Sequence, residues 1–461
     1  MDTVTHQQLS DFEAMLRGSV ITPTDAAYDG ARQLWNGMID KRPALIVRCA
    51  DAADVAAAVH QARKQHLPLA VRGGGHNIAG SALCDNGLVI DLSSMRAVHI
   101  DAERRRAEVE GGATLRDIDH EAQSWGLATP LGINSTTGIG GLTLGGGFGW
   151  LSRQHGLTID NLVGADIITA AGARLHVDAD HEADLFWAIR GGGGNFGVVT
   201  RFEFALYDVG PNVTAGLIAY PLAEAKTVLT HYRDMVAGMA DELSVWAVLR
   251  LAPPLPFLPP QWHGKPIVAL AVFSTRAPDA LGDVLEQLRS FGPVVGEHVG
   301  AVPYVAWQQA FDPLLAPGAR NYWKSHNFER LDDAAIDVVV DYASKLPSPH
   351  CEIFLGLLGG AASRPAPTDT AWPSRNALWA MNVHARWTDA ADDTACTGWA
   401  REFFTQAAPY ASSGVYVNFL TDDESDRIAE AYGPNYARLR AIKAQYDPHN
   451  LFRSNQNIAP G

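Results

Sequence analysis

The chain has 461 residues, with 36 Lys and Arg against 51 Asp and Glu, for a formal net charge of −15. That acidity excludes a general nucleic-acid or anionic-membrane binder, and 47% hydrophobic against 19% charged residues excludes disorder, collagen and coiled coil. At roughly 150 residues per domain the length predicts two or three domains.

The first residues, Met1 to Leu16, are acidic and polar, without a basic segment leading into an apolar core. No apolar run reaches the roughly 18–20 residues that span a bilayer. A cytoplasmic location is expected, and the four scattered cysteines (Cys49, Cys84, Cys351, Cys396) argue against a disulfide scaffold or a zinc ribbon. Strands are predicted at Ala44 to Val47, Leu67 to Val71 and Leu88 to Leu92, with an alanine-rich helix over Ala52 to Gln65. Thr114 to Trp125 reads as a helix and Gly164 to Thr169 as a strand. Residues 1–206 therefore form one α+β domain.

Glycine is the unusual component of that domain. It clusters at Gly73-Gly74-Gly75, at Gly138-Ile139-Gly140-Gly141, at Gly145-Gly146-Gly147 with Gly149, and from Gly191 to Gly194 with Gly197. One such cluster is an ordinary turn. Four within roughly 125 residues point to backbone closely approaching a bound cofactor.

Residues 207–415 form a second domain with a different pattern. Strands are expected at Val213 to Tyr220, Leu243 to Leu251, Ile267 to Ser274, Tyr322 to Phe328, Glu352 to Leu358 and Leu378 to Trp387. Helices separate them at Ala223 to Ala240, Asp279 to Phe291, Asp332 to Leu346 and Thr394 to Ala407. This predicts an antiparallel sheet covered on one face by helices, whose open face roofs a pocket in the first domain. The tail, 416–461, begins within a strand over Val415 to Leu420, continues in a helix from Asp423 to Tyr446, and ends in Asn455-Gln456-Asn457.

Gly192-x-Gly194-x-x-Gly197 matches a dinucleotide fingerprint only formally, because a strand-like run from Val198 to Phe204 follows where a helix is needed. No phosphate-binding GxxxxGK[ST] and no compact metal-binding set is present. In Arg72-Gly73-Gly74-Gly75-His76-Asn77 a strand delivers consecutive backbone N–H groups suited to phosphate oxygens, with a histidine among them.

These residues carry a resemblance. Arg72 to His76, Thr136 to Trp150, Asp160-Asn161, Asp184 to Gly197, Tyr416-Val417-Asn418 and Asn455-Gln456-Asn457, taken in order, resemble the berberine-bridge-enzyme-like flavoproteins of the vanillyl-alcohol-oxidase/p-cresol-methylhydroxylase (PCMH) superfamily, near the 6-hydroxy-D-nicotine oxidase type. The resemblance implies a PCMH-type FAD-binding domain (1–206), a substrate domain (207–415) and a C-terminal segment (416–461) returning to the first. It implies FAD carried by His76 through an 8α-histidyl bond, which withdraws electron density and raises the flavin potential. Relatives with a second, cysteinyl bond place that cysteine where this chain has Asn134, so a single bond is expected. Around the flavin the resemblance places Arg72, Gly73, Gly74, Gly75, Asn77 and Ser81; Thr137, Gly138, Gly141 and Leu142; Gly145, Gly146, Gly149 and Trp150; and Asn161, Val199, Asn418, Asn455 and Asn457. Thr137 falls where the family controls access of O2 to the flavin.

The expected reaction is hydride transfer from an alcohol or amine carbon of a small, ring-bearing substrate, with electrons passing to O2 to give H2O2. A dehydrogenase with another acceptor, a carbohydrate oxidase and a flavin protein without turnover are the rival readings. Tyr416 is the first candidate for the base that takes the substrate proton. Glu352 is the second: an acidic residue in an apolar strand, it faces either solvent or the flavin, where burial would raise its pKa. Lys324 either pairs with it or lies at the surface. Asn382, His384 and Arg386 share one strand face, solvated or pocket-lining. Phe148 and Tyr322 complete the expected pocket, and no metal is expected. The oligomeric state is open.

Overall fold

The computed structural model describes residues 6–412 and 414–461. Its first unit grows from a short βαβ element. Asp51 caps the helix Ala52–Lys64, its carboxylate accepting the N–H groups of Ala53 and Asp54 at 2.9 and 3.1 Å, a cap worth about 1 kcal/mol. Val55, Ala58, Val59 and Ala62 then fall on one buried face. The strands Leu45–Arg48 and Leu69–Arg72 both pair in parallel with Leu88–Asp91, while Ser19–Ile21 adds an antiparallel edge. The run Leu88–Asp91 is buried throughout, since both faces of this sheet are covered.

A second, antiparallel sheet runs in the order Val98–Asp101, Arg106–Glu110, Val198–Ala205, Leu162–Ile168, Arg174–Asp178. The strand at Val198 directly follows the last glycine cluster. The C-terminal residues Val415, Val417, Leu439 and Ile458 share a hydrophobic core with Val109, Phe186 and Phe202 of this region. Buried Lys443 fastens them there. Its ammonium donates to Asn195 O at 2.7 Å, Phe452 O at 2.9 Å and Asp447 Oδ2 at 2.7 Å.

The third sheet has seven antiparallel strands in the order Gly296–Pro303, Asn212–Pro221, Pro266–Ser274, Leu243–Leu251, Glu352–Leu357, Trp379–Trp387, Arg320–Phe328. The helices Ala225–Val236, Asp333–Ala343 and Asp393–Ala407 cover one face. The opposite face turns toward the glycine loops. The fold is α+β, as expected.

Several elements differ from expectation. Val415 to Leu420 is not a strand: it makes one tight turn over Val417–Phe419, and from this turn Tyr416 and Asn418 reach the glycine loop with their side chains. The helix expected from Asp423 to Tyr446 breaks at Gly433-Pro434 into Ile428–Tyr432 and Tyr436–Tyr446; Gly433 takes a φ of +46° and proline has no N–H to give. The strands Ser19–Ile21, Val98–Asp101, Arg106–Glu110, Arg174–Asp178 and Gly296–Pro303 are additional to the expected ones; all are short or only partly buried, so each carries little apolar signal.

One buried acid near the junction of the units has a measurable consequence. Asp119, on the helix Leu115–Gln123, accepts a hydrogen bond from Gln308 Nε2 at 3.1 Å, but its Oδ1 and the Gln308 Oε1 lack partners. Burial pushes its carboxyl up to about 7. A folded-state pKa above the unfolded value of an acid means that the folded protein holds the proton more tightly, so stability falls as pH rises from about 4 through 7. The full loss is of order 4 kcal/mol. Asp119→Asn should therefore raise the thermal midpoint at pH 8 and leave it nearly unchanged at pH 5; an equal shift at both pH values would contradict the protonated state.

Among the described residues no helix is long and apolar enough to cross a membrane.

Candidate active site

The floor of the site is made of glycine loops. The strand Leu69–Arg72 ends in Gly73-Gly74-Gly75-His76, which meets the turn entering the short helix Ile139–Leu144. The two loops touch backbone to backbone: a Cβ on Gly74 would lie 2.3 Å from Gly138 N, and one on Gly138 would lie 2.2 Å from Gly74 N. Neither position tolerates a side chain. A Cβ on Gly141 would instead enter open space. This is a floor of bare peptide groups facing a cavity that is also lined by Asn77, Ser81, Thr137, Val199 and Asn455.

His76 lines that cavity. Its ring stacks on Trp35, centroids 5.2 Å apart and planes at 22°. Its Nε2 lies 2.9 Å from Thr136 Oγ1, and Thr136 in turn bonds to Asn134 Oδ1 through both its N–H (3.1 Å) and its hydroxyl (2.7 Å). Burial pushes the imidazole down to about 4, so it is neutral at physiological pH. Trp35 is fixed from both units: its N–H donates to Gly75 O at 3.2 Å and its indole Nε1 to Leu315 O at 2.7 Å.

The roof is the open face of the seven-stranded sheet. Strand register places Arg250, Glu352, His384 and Trp323 side by side in one row across four strands. Arg250 donates to Glu352 Oε2 at 2.6 Å, and His384 Nδ1 lies 3.3 Å from Oε1. His384 Nε2 lies 3.2 Å from Asn321 Oδ1. Glu352, His384, Trp323 and Phe354 all line the cavity. Glu352 faces inward, but its expected pKa shift is reversed. Burial raises it, while the charge of Arg250, the His384 hydrogen bond and Arg386 outweigh burial and hold the carboxyl at about 2. It is an ionised carboxylate with both oxygens engaged.

The tail closes the site from the side. The Tyr416 hydroxyl accepts the Gly147 N–H and the Asn418 Nδ2, each at 3.0 Å. Asn418 Nδ2 also reaches the Gly141 and Leu142 carbonyls at 3.2 and 3.3 Å. Tyr416 packs edge-on against Phe148 and Phe419, both cavity residues. Burial pushes its hydroxyl up to about 12, against the two hydrogen bonds that favour the phenolate.

The other expected site residues make the following contacts. Tyr322 and Lys324 alternate away from Trp323 onto the other strand face. Lys324 pairs not with Glu352 but with Asp423 (2.8 Å) and Glu424 (3.2 Å), and the Tyr322 hydroxyl donates to Asp423 at 2.7 Å. Trp150 lies in an aromatic core with Trp246 and Trp307, centroids 4.7 and 5.3 Å away. Asn161 spends its amide on the His155 and Leu157 carbonyls. A Cβ on Gly149 would strike Leu131 O, and one on Gly145 would strike the Asn418 side chain. A Cβ on Gly146 would meet Tyr416 at 3.3 Å. Arg72 points its guanidinium at Ala31 O. Asn382 shares the inward face with His384 but is fully buried, both amide atoms unpartnered. Arg386 lies over the Trp35 ring at 5.1 Å. Asn455 Oδ1 and Asn457 Oδ1 are also buried without partners.

Four contributors had no signal in the sequence: Trp35, Thr136 as a partner of His76, Arg250 as a partner of Glu352, and the aromatic set Trp323, Phe354 and Phe419. Each is brought in by strand register or by a contact between distant segments. The lining fits FAD: bare peptide N–H groups for the pyrophosphate, an unpartnered acceptor on Asn455, a histidine and an aromatic roof for a ring.

Comparison with known proteins agrees with this geometry. Residues 43–178 match the model of an FAD binding domain, and residues 415–459 match the berberine and berberine-like model. The (R)-6-hydroxynicotine oxidase of Paenarthrobacter nicotinovorans is 32% identical over 457 residues, covering 96% of this chain and 97% of the relative. The crystal structure of 6-hydroxy-D-nicotine oxidase from Arthrobacter nicotinovorans superposes with a TM-score of 0.86 at 30% identity, over 97% of this chain and 98% of that one. BBE-like 1 of Physcomitrella patens, at 22% identity, shares the fold with a TM-score of 0.89, over 98% and 99% of the two chains. A tail that closes a glycine-floored FAD site beneath an antiparallel roof, over nearly the full length of such relatives, places this chain in the berberine-bridge-enzyme-like FAD-linked oxidoreductases of the PCMH superfamily.

Proposed function

We propose that the protein is an oxidase with FAD held by one covalent bond through His76, acting on an alcohol or amine carbon of a small ring-bearing molecule. The observation that carries this reading is the meeting, in one cavity, of the glycine floor ending in His76 with the aromatic roof row and Tyr416. When bound, FAD supplies a two-electron acceptor that takes hydride from the substrate and passes the electrons to O2, giving H2O2.

The chain's own residues do the rest. Trp323, Phe354, Phe419 and Phe148 offer ring faces to an apolar substrate and exclude water. Tyr416 is the base. Its two N–H donors, from Gly147 and Asn418, steady the negative charge that its oxygen must carry before it can accept the substrate proton. Glu352, ionised and tied to Arg250, orients His384 in the wall of the pocket. Asn134 stands where relatives have the second tether, which supports a single bond. Thr137 lines the cavity and is small enough to leave a path for O2.

The test is a substrate screen under air that follows O2 uptake and H2O2 together. A ring-bearing alcohol or amine that bleaches the flavin without O2 and yields one H2O2 per turnover with O2 supports the reading. Bleaching that reverses only with an artificial acceptor would make the protein a dehydrogenase.

A further inference from the structure

The hydrogen bonds around His76 do more than hold a ring in place. Asn134 Oδ1 accepts the backbone N–H of Thr136 at 3.1 Å, and a backbone N–H has no other role than donor, so the oxygen end of the amide is fixed. The Thr136 hydroxyl, 2.7 Å from that same oxygen, must then donate to it. A hydroxyl has one proton, so toward His76 it offers only a lone pair. His76 Nε2, 2.9 Å away, must therefore be the N–H nitrogen, and Nδ1 carries the free electron pair. The Thr136 carbonyl also accepts from the ring, and no side chain of the described residues hydrogen-bonds Nδ1.

We propose that Asn134 and Thr136 form a relay that sets the tautomer of His76, so that Nδ1 is the nitrogen that bonds to the flavin. Asn134 and Thr136 are positioning residues that act through His76. The inference rests on the reading that His76 carries the flavin, and adds what selects the nitrogen that does so. The lowered imidazole pKa agrees with a neutral ring, which keeps that lone pair free.

The bond-forming step balances as an addition. Nδ1 bonds to the methyl carbon on the benzenoid ring of FAD. That carbon loses one proton, the imidazole loses the Nε2 proton, and both protons and the electron pair remain on the flavin, which is thereby reduced by two electrons. Dioxygen then reoxidises it, giving H2O2. The relay serves only the first event. Once Nδ1 is alkylated and the Nε2 proton has gone, the Thr136 hydroxyl can turn and donate to Nε2. Asn134 thus occupies the position of a second tether and supplies a hydrogen-bond acceptor in its place.

The test is the rate at which acid-precipitable flavin appears when saturating FAD is added under air to full-length protein produced without riboflavin. Saturation removes differences in FAD affinity. Thr136→Val and Asn134→Leu should each slow the covalent step about tenfold, the worth of one hydrogen bond near the upper end of its usual range. Asn134→Asp keeps the acceptor and should react at the wild-type rate or faster. A loss smaller than threefold in either Thr136→Val or Asn134→Leu would overturn the relay, as would an Asn134→Asp variant slowed as much as Asn134→Leu. Wild-type protein that never forms acid-stable flavin would overturn the tether itself and the relay with it. Normal wild-type attachment with unaffected variants would overturn the relay alone.

Discussion

His76→Ala protein should bind FAD but release all of it into the supernatant on acid precipitation, whereas the wild type should keep about one flavin per chain in the pellet. The glycine floor, the orphaned Asn455 amide and the aromatic roof do not depend on the imidazole, so noncovalent binding should survive. The substitution removes a ring that stacks on Trp35, so some loss of FAD affinity is expected beside the loss of the tether. The midpoint potential should fall, because the electron-withdrawing substituent on the flavin is gone, and turnover should slow with it. Peptide mapping of the wild type should find the flavin on the peptide containing His76. Flavin that stays with the His76→Ala pellet would end the assignment.

Tyr416→Phe should retain covalent FAD and slow flavin reduction by roughly 10²- to 10⁴-fold, the usual range for loss of a positioned acid or base. The pH dependence makes this sharper. Burial pushes the Tyr416 hydroxyl up to about 12, so below that value the fraction ready to accept a proton grows tenfold with each pH unit. The wild-type reduction rate, measured anaerobically at saturating substrate, should rise with that slope from pH 7 to pH 10, and the Phe variant should lose the slope. Glu352 predicts the opposite. Held at about 2 beside Arg250, it is ionised over that whole range and would give a flat wild-type profile. A flat profile with near-normal reduction in Tyr416→Phe would transfer the role to Glu352.

The two candidate bases show how far sequence reasoning reaches. Tyr416 was found through the pattern Tyr-x-Asn, but nothing in that pattern says that Gly147 and Asn418 both aim N–H groups at its oxygen. Glu352 stands out in the sequence as an acid in an apolar strand. Its protonation state depended on a residue 102 positions away, Arg250, which stands opposite only because of strand register. Lys324, offered as its partner, lies one residue out of phase. The period of two puts it on the helix-covered face, where Asp423 and Glu424 claim it.

The sequence by itself determined the α+β class, most strands of the first and third sheets, the glycine floor and His76 within it. These are local properties: hydrophobic period, capping residues, and glycines where backbone must approach backbone, as at Gly74 and Gly138. Only the tertiary structure decided which faces of the roof strands look inward, that Trp35 stacks on His76, that the Arg250–Glu352–His384–Trp323 row exists, and that Asn134 and Thr136 together direct the histidine. Register and long-range closure set these contacts. A side chain's partner, and with it its charge and its tautomer, is fixed by segments distant along the chain, and no window of local sequence contains that information.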